Sequence, residues 1–231
     1  MSQERSGPAA DLVSLYPFLY GGGEGSDVES VLEQVRRSTV AKVAEIVELR
    51  QRVLERYADQ MVRCAQAMAE SFVAGGRLFS FGNGGSSTDA QDVAAAFLNP
   101  AGTARPLPAL CLTNDIAVVT ALSNDVGFDV IFARQLAATG RSGDIAVGLS
   151  TSGNSPNLIA AFDEAARRGL LTVGLAGYDG GAMAEADTID YLFVVPSSSV
   201  HRVQEAQTTI YHVLWELTQQ ALLAERWGEA G

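Results

Sequence analysis

The chain has 231 residues, 47% of them apolar, and a formal net charge of −11 at neutral pH. That length suits one large domain or one domain with a helical extension, and so apolar a composition excludes a chain disordered throughout. The acidic balance argues against a nucleic-acid partner, which calls for a basic stripe, but it leaves room for an anion held by backbone N–H groups and hydroxyls.

Residues 1–26 are rich in Gly, Ser and Pro around one apolar cluster, Leu15-Tyr16-Pro17-Phe18-Leu19-Tyr20. They read as an N-terminal extension that docks on the body or on a neighbouring subunit, with Gly21-Gly22-Gly23 as a joint. Residues 27–231 read as a single domain. From Val28 to Ala74 apolar residues recur at three- and four-residue steps, predicting helix with a break or bend near Ser38 and a second start near Tyr57. Glu45, Glu48, Arg52, Glu55 and Arg56 form a solvated face of that segment. Gly75-Gly76 ends it.

Beyond Arg77 strands and helices alternate. Predicted strands are Leu78–Phe81, Ala109–Leu112, Ile145–Leu149, Leu171–Leu175 and Tyr191–Val195. Predicted helices are Thr88–Phe97, Ile116–Leu122, Phe128–Ala138, Pro156–Arg168, a turn near Ala182–Ala186, and Val200–Ala224. Short strands separated by helices indicate an α/β fold with a parallel sheet covered on both faces. Cys64 and Cys111 lie far apart with no metal-binding spacing and read as buried apolar residues. No run of 18 apolar residues and no leader-like start is present, so the expectation is a soluble, cytoplasmic chain with no membrane partner.

Two Ser/Gly loops stand where a strand gives way to a helix. The first, Phe81-Gly82-Asn83-Gly84-Gly85-Ser86-Ser87, is a near match to the dinucleotide fingerprint. Its third glycine position is Ser87, however, and no acidic residue follows to hold a ribose, which weakens a nicotinamide-dehydrogenase reading. Taken alone it is equally a tight turn. The second, Ser150-Thr151-Ser152-Gly153-Asn154-Ser155-Pro156, offers four hydroxyls where a plain N-cap needs one. A helix N-terminus with unpaired N–H groups, small residues and several hydroxyls is suited to a phosphate dianion. The ligand expected is a phosphorylated small molecule.

Gly82-Asn83-Gly84-Gly85-Ser86, Asp89-Ala90-Gln91, Leu122 to Phe128, Ser150 to Pro156, and Gln204-Glu205 with His212 resemble the sugar isomerase (SIS) family, in particular its phosphoheptose isomerase branch. The likeness covers about residues 28–224. It implies a three-layer flavodoxin-like sheet, N-terminal helices packed into a homotetramer bundle, and interconversion of sedoheptulose 7-phosphate with a heptose 7-phosphate. It also implies that Asn83, Gly84 and Ser86, with Ser150, Thr151, Ser152 and Ser155, contact sugar or phosphate, and that Asn114 and Asp115 contact sugar hydroxyls or shape their loop. Asn114, Asp115, Asn124 and Asp125 equally suit N-caps, the role expected for Asp125.

Aldose–ketose isomerisation needs a base to move a proton between C1 and C2, and a partner to manage the two oxygens. The branch assigns these roles to a glutamate after the first loop and a histidine on the last helix. The histidine is His212, eight residues after Gln204 and on roughly the same helical face. The glutamate's position is Ala96. Asp92 stands where the branch carries a histidine, and some members hold zinc with that histidine, the glutamate and the counterparts of Gln204 and His212. Asp92, Gln204 and His212 alone make a poor zinc set, since a carboxamide is a weak ligand, and the expectation is no metal and no cofactor. His201, at the mouth of the last helix, either joins Asp92 in proton transfer or is a surface residue. His212 alternatively reads as a core histidine among Ile210, Val213, Leu214 and Leu217. The competing reading for the whole chain is a SIS adaptor or ligand sensor, which keeps the phosphate loops but needs no catalytic pair.

Overall fold

A computed structural model describes residues 28–228, with side chains from 30 to 224. The expected extension over 1–26 and its aromatic cluster lie outside the described residues. The chain divides into two units, Met1–Glu45 and Ile46–Gly231. Helix α1 runs unbroken over Val28–Val73. Of the break or bend expected near Ser38 and the restart near Tyr57, the break and the restart do not occur: no Gly or Pro interrupts the segment, and Ser38-Thr39 costs too little helix propensity to end it. In the first unit α1 exposes Val31, Leu32, Val35, Val40 and Val43. In the second unit Ile46, Leu49, Val53, Tyr57, Met61, Cys64, Met68 and Phe72 recur at three- and four-residue steps and are buried. The charged face from Glu45 to Arg56 is exposed.

The remaining elements of the second unit follow the predicted order. They are β1 (Leu78–Gly82), α2 (Gly85–Leu98), β2 (Ala109–Cys111), α3 (Ile116–Asp125), α4 (Ile131–Thr139), β3 (Ile145–Leu149), α5 (Pro156–Arg167), β4 (Leu171–Gly177), α6 (Gly181–Glu185), β5 (Tyr191–Val195) and α7 (Val200–Gly228). A single 3-10 turn, Phe128–Val130, precedes α4. Helix α2 starts three residues earlier than predicted because Gly84, at φ 55°, turns the chain straight from the glycine loop into the helix. Helix α3 reaches Asp125, so that residue sits at the helix's C-terminal end, where its carboxylate accepts from Asn124 Nδ2. The expected N-cap role of Asp125 is therefore corrected.

The five strands are parallel, in the order β2-β1-β3-β4-β5. Alternate side chains feed two cores. Leu78, Val147, Leu149, Val173, Leu175 and Phe193 pack with α1, α2 and α7 on one face. Phe79, Phe81, Ala146 and Ala176 pack with α4 and α5 on the other. This is a three-layer α/β sandwich with the flavodoxin-type strand order. Gly148 is where the second core crosses closest to the sheet: a Cβ there would run into Phe162 and Phe81, whose rings lie 5.3 Å apart. Both cysteines are buried and unpaired.

In this order the direction in which successive strands are added reverses between β1 and β3, where a crevice lies beyond the strands' carboxyl ends. Gly82, the last residue of β1, is in register with Leu149, the last of β3. The two Ser/Gly loops therefore leave the sheet side by side.

Candidate active site

The second loop is held open by its own bonds. Ser150 Oγ accepts from Gly153 N–H at 3.0 Å, and Ser152 Oγ accepts from Asn154 N–H at 3.3 Å. Gly153 has φ 69°, and a Cβ there would strike Gly180 O, so the turn requires glycine. Asn154 Oδ1 accepts from Ala182 N–H, and Gly153 O from Met183 N–H, tying the loop to α6. Pro156 starts α5, with Ser155 at the N-cap, but the Ser155 side chain makes no capping bond. The N–H groups of Thr151, Ser152 and Ser155 donate to nothing among the described residues. Unpaired amides, a free N-cap hydroxyl and the positive end of α5 form an anion cradle.

The first loop is fastened to it. Asn83 and Asn157 exchange two amide hydrogen bonds, both 2.9 Å, and Asn157 is buried. Asn83, expected at the sugar, therefore also holds the loops together. Gly84 is exposed, and Ser86 is buried with its N–H donating to Asn83 O. Asp115 caps α3, its Oδ1 accepting from Ala117 and Val118 N–H, both at 3.1 Å; Asn114 beside it is exposed.

Helices α2 and α7 meet at the first loop. Gln204 lies over Gly85, where an added Cβ would come within 2.5 Å of its Nε2, and that nitrogen donates to Asp89 Oδ2 at 2.9 Å. Burial raises the Asp89 pKa above the usual carboxylate value; the bond from Gln204 opposes the rise and the charge of Asp92 adds to it. Asp92 is exposed on the next turn of α2, and Ala96, half-buried one turn further, continues the same stripe. Tyr211 is buried, with its pKa raised first by desolvation and then by Asp92 and Asp89, while a bond with Thr208 opposes the rise. The phenol thus stays protonated beside two carboxylates.

The His212 ring lies 4.9 Å from the Tyr211 ring, tilted at 35° to it, and is exposed. The core-histidine alternative is overturned: its position on α7 turns it out of the apolar face that Ile210 and Leu214 bury. His201 is also exposed, and nothing joins it to Asp92, Gln204 or His212. The structure thus gathers Gln204, Asp92 and the stripe containing Ala96, and leaves His201 apart from them.

Three residues of this arrangement had no role assigned from sequence: Asp89, Asn157 and Tyr211. Tyr211 had a signal, since it lies seven residues after Gln204 and nearly on its helical face. The donor set does not fit zinc. Ala96 supplies no ligand, Gln204 is engaged with Asp89, and no three His, Cys, Asp or Glu side chains gather as metal ligands among the described residues.

The chain has an amide-lined helix entrance at the switch point of a flavodoxin-type sheet and a polar seam between α2 and α7, and the SIS domain model matches residues 43–177. The chain belongs to the SIS family, in its phosphoheptose isomerase branch. It is 38% identical to the phosphoheptose isomerase of Roseiflexus sp. over 86% of this chain and 100% of that one. It is 44% identical to that of Nitratidesulfovibrio vulgaris strain Hildenborough over 82% and 91% of the two chains. Among solved structures, the phosphoheptose isomerase of Neisseria gonorrhoeae superposes with a TM-score of 0.74 at 34% identity, covering 80% of this chain and 99% of that one.

Proposed function

We infer that this chain is a phosphoheptose isomerase that interconverts sedoheptulose 7-phosphate and an aldoheptose 7-phosphate. The observation that carries the reading is the cradle of Thr151, Ser152 and Ser155, whose amides have no acceptor among the described residues and which stands at the N-terminus of α5. Relatives at 38% and 44% identity bear the name phosphoheptose isomerase and align over most of their length.

In this reading the second loop takes the 7-phosphate, Asn83, Gly84, Ser86, Asn114 and Asp115 line the sugar, and the seam between α2 and α7 holds C1 and C2. The reaction is balanced within the substrate. A base removes a C1 proton, the electron pair forms the C1–C2 double bond, and O2 is protonated. The proton then returns at C2 while the O1 proton is lost. Asp92, one turn before Ala96, is the base that stands in for the branch glutamate, and His212 serves the oxygens, with Gln204 placing the substrate between them. His201, exposed and set apart from these residues, takes no part in these steps. No metal or other cofactor enters these steps.

One observation favours a second reading, a non-catalytic sugar-phosphate sensor or adaptor: Ala96 removes the branch's catalytic carboxylate. Incubation with sedoheptulose 7-phosphate separates the two. Appearance of an aldoheptose phosphate selects the isomerase, and thermal stabilisation without product selects the sensor.

The same reading makes the protein a homotetramer in the cytoplasm. Support comes from the apolar residues exposed on α1 in the first unit and, in the second, from an apolar groove of about 320 Å³ lined by Val47, Leu54, Met61, Ile210 and Val213. Water-exposed apolar surface of that kind favours association with another copy. Among the described residues no helix is long and apolar enough to cross a membrane.

A further inference from the structure

One turn beyond Gln204 on α7 stands Gln207, which is fully buried. Its Nε2 donates to the carbonyl oxygen of Ser150, the first residue of the phosphate loop, at 2.9 Å. A carbonyl only accepts, so the amide nitrogen is the atom that must face it. The other end of the side chain, Oε1, is buried with no hydrogen-bond partner. A buried acceptor left unpaired carries a desolvation penalty with nothing in return, so an apolar side chain would suit the packing better.

What the glutamine does is fix a peptide plane. The Ser150 carbonyl and the Thr151 N–H belong to one planar trans unit and point in opposite directions. Anchoring the carbonyl to α7 turns the Thr151 N–H away from α7 and toward the cradle, where it has no acceptor among the described residues. The next carbonyl is confined too: a Cβ on Gly177 would strike Thr151 O and the Val203 side chain, one turn before Gln207. The Thr151 unit is thus held between α7, through Gln207, and the end of β4, at Gly177.

We propose that Gln207 is a positioning residue for phosphate recognition: through the Ser150 carbonyl it aims the Thr151 N–H at the ligand's phosphate and ties the cradle to the helix that carries the reacting end. The proposal rests on the cradle reading above. Preorganised donors raise affinity because their ordering is complete before binding.

Gln207→Met keeps the length and bulk of the side chain and removes the donor. It exchanges one orphan acceptor, Oε1, for another, Ser150 O, so Tm is expected within about 3 °C of the wild type. The Kd for inorganic phosphate and the KM for sedoheptulose 7-phosphate are each expected to rise about tenfold, with kcat within about twofold. Affinities within twofold of the wild type overturn the proposal. A second measurement needs no variant. In wild-type protein with 15N-labelled threonine, inorganic phosphate is expected to move the Thr151 amide resonance downfield and to leave that of Thr172, buried in β4, in place. A stationary Thr151 resonance overturns the proposal as well. Failure of the wild type to bind either phosphate or the sugar phosphate overturns the cradle reading and Gln207 with it; normal wild-type binding with an indifferent Gln207→Met overturns Gln207 alone.

Discussion

Asp89 is half-buried between α2 and α7, with one carboxylate oxygen on Gln204 and the charge of Asp92 a turn away. Because burial raises its pKa, the folded chain holds the Asp89 proton more tightly than the unfolded chain does. Its favourable contribution to stability is therefore complete below the ordinary value of 3.8 and is lost as pH climbs through the raised folded value. Asp89→Asn retains an acceptor for Gln204 and removes the charge. Its Tm relative to the wild type is expected to increase as pH rises from about 4 to about 7, and parallel Tm–pH curves for the two proteins would contradict that account. At this scale the sequence was only half legible. The hydroxyls of Ser150 to Ser155 advertise themselves because one turn rarely needs so many. Asp89 and Gln207 do not, since a polar residue on an amphipathic helix reads as solvated until the facing helix is known.

At the scale of elements, the site depends on two loops from different strands acting as one. The reciprocal amide pair Asn83–Asn157 joins them across a separation of 74 residues. Asn157→Leu would leave Asn83 without its partner at the mouth of the sheet. The expected cost is about 1–3 kcal/mol of stability, read by denaturant unfolding, together with weaker sugar-phosphate binding. A variant of wild-type stability would show that the pair carries no weight. The strands and most helices could be read from sequence because apolar period and Gly/Pro punctuation agree there. The pairing of Asn83 with Asn157 could not, since it follows from the switch point between β1 and β3, which is a property of strand order rather than of any local segment. The continuity of α1 past Ser38 was not legible in the apolar spacing, which allowed a break there that helix energetics does not require.

At the scale of the whole molecule, the apolar face exposed by α1 and the groove beside Ile210 are expected to be covered by other copies of the chain. Sedimentation velocity should give a mass near four times 24.3 kDa, and a stable 24.3 kDa species at micromolar concentration would contradict the tetramer. The loss of the branch glutamate at Ala96 sharpens the question of whether the seam between α2 and α7 still moves a proton. The most direct measurement is incubation of the purified chain with sedoheptulose 7-phosphate in D2O, followed by NMR. The account predicts an aldoheptose 7-phosphate carrying solvent deuterium at C2, with matching loss of C1 protons from the ketose. A sugar phosphate that binds yet keeps its C1 protons and yields no aldose would contradict it.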